Sequence, residues 1–128
     1  YTDHGIFTVA VGADTKRVSL VIKTILAECQ QLKAELVSDV ELKRVKNYLI
    51  GTMIISLESN SDLATFLAGQ VTLKGESDNP AEIERKIKVV TARDLKRLAN
   101  ELFKPERLNL AVIGPFKETK SFVKVLSV

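Results

Sequence analysis

A metal centre or an acid–base pair in this chain would have to start from His4, the single histidine, or Cys29, the single cysteine. Zinc takes three or four His, Cys or carboxylate ligands at suitable spacing, and neither residue has such a companion nearby in sequence. Cys29 as a nucleophile needs a basic partner, and the only histidine falls in a different element. Plainer roles fit both: His4 is a polar residue at a strand entrance, and Cys29 is a small hydrophobe on the apolar face of a helix. Asp39 and Glu41 stand in the first turn of a helix, where acids complement the helix dipole, so capping explains them better than acid–base catalysis.

The six glycines are scattered, with no G-x-G-x-x-G and no G-x-x-x-x-G-K, which leaves phosphate cradling without support. Basic residues gather at Lys43, Arg44 and Lys46 and again at Arg85, Lys86, Lys88, Arg93, Lys96 and Arg97. Side by side, two such stripes would meet phosphates, yet the chain has no Trp and no aromatic among them to stack on bases. A solvated helix face is the simpler reading. No catalytic residue and no metal ligand is therefore assigned in this chain, and substrate-binding residues are unidentified.

The elements that carry these residues are punctuated clearly. "GIFTVAVGA", Gly5 to Ala13, is apolar and rich in β-branched and aromatic residues, which reads as a largely buried strand. Asp14 then caps a helix with Val18, Val21, Ile22, Ile25, Cys29, Leu32 and Leu36 at helical spacing. Ser38 and Glu41 form a capping box for a second helix, with Val37 stapled on Leu42 and a stripe through Leu42, Val45, Leu49, Met53 and Leu57. The pattern breaks at "ESNSD", and a third helix carries Leu63, Phe66, Leu67 and Val71 to a C-cap at Gly75. Asn79-Pro80 opens a short helix through Ile83 and Ile87. Thr91 and Asp94 repeat the capping box ahead of Leu95, Leu98, Ala99, Leu102 and Phe103. "RLNLAVIGP" reads as a second strand, and Phe122, Val123 and Leu126 face one way on a last short helix. The expected order is β-α-α-α-α-α-β-α. Two strands make a marginal sheet, so further strands are expected from an upstream segment, a partner chain or another copy.

At 128 residues the chain fits one domain or a piece of one. Hydrophobic residues at 45% and charged residues at 27% match a soluble globular protein, and no apolar run is long enough to cross a bilayer. The net charge of +3 is interleaved rather than gathered into a tail, so it selects no partner. One cysteine excludes an internal disulfide and is compatible with a reducing compartment. No signal peptide opens the chain, which favours a cytoplasmic location. Tyr1 rather than Met stands first, directly ahead of a strand pattern, so an upstream segment is expected to have been removed.

Six motifs carry a family resemblance: "YTDHGIF" from Tyr1, "VSDVELKRVK" from Val37, "LES" at Leu57 to Ser59, Gly69-Gln70, "VTARDL" at Val90 to Leu95 and "LAVIGP" at Leu110 to Pro115. Their order and spacing resemble the C-terminal domain of the pitrilysin/insulinase/processing-peptidase family of zinc metallopeptidases, across essentially the whole chain. The resemblance implies an α+β fold over residues 1–128, a mostly antiparallel sheet with helices packed on one face, truncated at its N-terminus. It also implies a half-enzyme. One domain of such proteins carries H-x-x-E-H plus a distal Glu, and a homologous domain without metal closes over the substrate. Here His4 is followed by Gly5, Ile6, Phe7 and Thr8, so the chain resembles the domain that does not hold zinc. The Arg and Tyr that this domain often supplies to substrate lie before the strand matching Gly5 to Gly12, outside this chain, and Tyr1 is not equated with that Tyr.

The resulting expectation is a substrate-enclosing, non-metal-binding domain of a zinc-dependent peptidase acting on unfolded peptides. The zinc would be held by an upstream homologous domain or a partner subunit, and the 128-residue chain by itself would be inactive. No nucleic-acid or membrane partner is expected, while exposed sheet edges favour self-pairing into a homo-oligomer. A different reading makes the parent a catalytically inactive family member, a structural or substrate-presenting subunit. A third drops the family and takes the basic stripes as a helical nucleic-acid binder, whose affinity would fall steeply with salt.

Overall fold

A computed structural model describes residues 3–117, 120–123 and 125–126. Tyr1, the first residue of the "YTDHGIF" motif, lies outside the described residues. The chain divides into two compact units, Tyr1–Phe7 with Ser38–Ala92, and Thr8–Val37 with Arg93–Val128.

The first unit holds α2 (Asp39–Ser56), α3 (Asn60–Lys74) and α4 (Pro80–Val89), α1 (Val18–Ala34) belonging to the second. Each begins where a short polar side chain satisfies an orphan N–H of the first turn. The Ser38 hydroxyl accepts from the Glu41 N–H at 3.3 Å, and Asp39 and Glu41 place negative charge at the positive end of α2. The Ser59 hydroxyl accepts from the Asp62 N–H at 3.1 Å while donating to the Asp62 carboxylate at 2.6 Å. Asn79 does the same work for α4, accepting from the Glu82 N–H at 2.9 Å, with Pro80 at a position that needs no donor. At the other end of α3, Gly75 takes φ +80° and its N–H reaches the Val71 carbonyl at 2.9 Å, the left-handed cap that a side chain would strain.

Helix α2 packs on α4, and the face it uses differs from the expected stripe. Leu42, Lys46, Ile50, Met53 and Leu57 are half-buried, whereas Val45 and Leu49 are exposed. Both sets obey helical spacing. "NYLIGTMII" is apolar around much of its circumference, so periodicity alone does not fix which side turns inward. Val71 of α3 is likewise exposed, and the inward row there is Leu63, Phe66, Leu67 and Gln70.

In the second unit the Asp14 carboxylate accepts from the Lys16 N–H at 3.1 Å and opens a 3-10 turn, Thr15–Arg17, that runs into α1 (Val18–Ala34). Val18, Val21, Ile25, Cys29 and Leu32 are half-buried, and Ile22 and Leu26 are buried. Leu36 falls beyond the end of α1 and is exposed. Ile22, Leu26 and Phe122 form the core, with Val18, Leu108, Phe116, Val125 and Leu126 packed around them. Phe122, on α6 (Lys120–Val123), meets Phe116 edge to face at 5.0 Å between ring centroids. Helix α5 (Ala92–Leu102) buries Ala99.

The C-terminal ends of α1 and α5 brace one another. Lys33 donates to the Phe103 carbonyl at 2.9 Å, Lys96 to the Ala34 carbonyl at 2.8 Å, and Asn100 to the Lys33 carbonyl at 3.1 Å. Terminal carbonyls that the helices leave unpaired thus receive donors, two of them cations at the negative ends of helix dipoles.

The expected α+β fold is overturned. Among the described residues none lies in a strand, and the mostly antiparallel sheet with helices on one face is not formed: the architecture is helical. Residues 5–13 and 108–113 run without a ladder, and Ile6, Phe7, Val9 and Val11 are exposed rather than buried. β-branched, apolar composition makes a segment willing to extend, but a strand exists only with a neighbour about 4.8 Å away to take its N–H and C=O groups. Among the described residues neither segment is paired in a ladder.

Candidate functional site

His4 and Cys29, the residues singled out for chemistry, fall in different units. His4 is paired through Nδ1 with the adjacent Asp3 carboxylate at 2.6 Å, and both side chains are exposed. Cys29 belongs to the other unit, on the inward side of α1. Burial, reinforced by Glu28 and opposed by Lys33, raises its thiol pKa, so the reactive thiolate is disfavoured. Among the described residues no group of three or more His, Cys, Asp or Glu side chains is placed to hold a metal ion.

Several cations of the basic stripes are already engaged with the protein. Lys86 pairs with Asp78 at 2.6 Å, Lys88 with Glu84 at 2.5 Å and Arg97 with Glu101 at 3.0 Å. Lys46, expected to face water, is half-buried and donates to the Lys88 carbonyl at 2.7 Å, closing the end of α4. Among the described residues no helix is long and apolar enough to cross a membrane.

The most organised polar cluster lies at the α3–α4 corner. Gln70, buried in α3, grips the backbone of Asp78 at two points: Nε2 donates to the Asp78 carbonyl and Oε1 accepts the Asp78 N–H, each at 3.2 Å. With its backbone fixed, Asp78 turns its carboxylate to the Lys86 ammonium on the second turn of α4. The cluster holds a corner in shape and carries no group poised for catalysis. Its signal in the sequence is that Gln70 continues the inward row 63, 66, 67, where a polar residue needs a partner.

The hydrogen bond from Lys86, helped by the charges of Lys86, Lys74 and Arg85, holds Asp78 below its ordinary carboxylate range. A carboxylate lowered in the folded state stabilises the fold above its unfolded pKa, about 4, and that contribution disappears as pH falls through the lowered folded value. Denaturant unfolding from pH 7 downward is expected to show stability lost below about pH 4, and Asp78→Asn should flatten that part of the profile. An unchanged profile would remove the role given to the pair.

No protein-family model matches the chain. Individual proteins do. The chain is 26% identical over 98% of its length to the mitochondrial-processing peptidase subunit beta of Neurospora crassa, covering 26% of that protein. It is 24% identical over 89% of its length to the subunit beta of Saccharomyces cerevisiae, covering 25% of it. It is also 27% identical over 80% of its length to the Neurospora crassa subunit alpha, covering 18% of it. The chain thus spans about a quarter of these curated relatives or less.

Likeness to both kinds of subunit, running along most of the chain, agrees with the processing-peptidase resemblance in its motifs. Its particular relatives are subunits alpha and beta of the mitochondrial processing peptidase. The same names overturn the expected cytoplasmic location, since these relatives are mitochondrial proteins. A lone cysteine does not separate reducing compartments from one another.

Proposed function

We propose that this chain is the substrate-enclosing, non-metal-binding C-terminal domain of a zinc-dependent peptidase that hydrolyses unfolded peptides. The observation that carries the reading is the likeness, along most of the chain, to both subunits of a processing peptidase. The sequence after His4, Gly5-Ile6-Phe7-Thr8, does not match H-x-x-E-H, which supports giving the metal to another domain or to a partner subunit. The alpha and beta names of the relatives support such a partner.

The physical contribution of a metal-free wall is enclosure. An extended peptide held between two walls loses the conformations in which its scissile bond is out of reach, so part of the entropic barrier is met on binding. A domain in that role needs shape retention rather than reactive side chains. The capped helices, the Gln70–Asp78 corner and the braced ends of α1 and α5 fit this need.

The test is digestion of an unfolded peptide by the full-length protein, together with its partner subunit where it has one. Cleavage should stop with a zinc chelator and return on adding zinc. No cleavage, or cleavage indifferent to the chelator, would overturn the reading.

A further inference from the structure

We draw no further inference here: the strongest candidate, the exposed apolar face of α2 formed by Val45, Tyr48, Leu49 and Ile55, carries nothing because nothing in the structure shows what covers it.

Discussion

Leu26→Ala is expected to cost about 2–5 kcal/mol of stability, the largest effect of any single substitution considered. Leu26 is 7% exposed and shares the only core of the second unit, among the described residues, with Ile22 and Phe122. Truncation removes three carbon atoms from that core and leaves a cavity that its neighbours fill incompletely. A core this small has few alternative packings. Phe122 meets Phe116 edge to face at 5.0 Å between ring centroids, so collapse onto the vacated space would disturb that contact. Denaturant unfolding of the full-length protein, followed by hydrogen exchange of α1 amides, reads the effect. A loss below about 0.5 kcal/mol, typical of surface positions, would show that Leu26 is not core.

Gln70→Leu is expected to destabilise the first unit by about 1–3 kcal/mol despite adding apolar character at a buried site. The leucine fills similar space but abandons both the N–H and the C=O of Asp78, which Gln70 now satisfies from a buried position. Leaving partners unmade costs more than the bonds themselves contribute, because the abandoned groups are partly shielded from water. Gln70→Glu separates this from packing. At neutral pH it keeps the size and the acceptor facing the Asp78 N–H but sets a carboxylate oxygen against the Asp78 carbonyl in a buried position, so a loss at least as large as that of Gln70→Leu is expected. Hydrogen exchange at the Asp78 amide gives a local readout. If Gln70→Leu is neutral and that amide stays protected, the clamp is not what holds the corner.

What was legible in the sequence was local. Ser38 and Asn79 each sit one residue ahead of a helix they cap, Asp14 caps the turn that leads into α1, and Gly75 ends α3 in the left-handed conformation. These signals reach only three or four residues, so a chain read in order displays them. The phase of α2 was not legible, because its apolar residues surround the helix and only packing on α4 selects Lys46 and Ile50 over Val45 and Leu49.

Gly5 to Ala13 and Leu108 to Ile113 show the opposite limit. Their composition announces strands, but pairing depends on a partner far away in sequence, and among the described residues neither segment lies in a strand. For the site, the helix face that carries Cys29 could be read from spacing. The Gln70–Asp78–Lys86 cluster could not, since a glutamine in a helix reads as solvent-facing until its row is known to turn inward.

The most direct test of the division of labour is the zinc content of the full-length protein, measured by elemental analysis with and without His4→Ala and Cys29→Ser together. The account predicts the same stoichiometric zinc in both, because the metal is held outside residues 1–128. Loss of zinc in the substituted protein would place a ligand in this chain, and absence of zinc from the unsubstituted protein would remove the zinc peptidase itself.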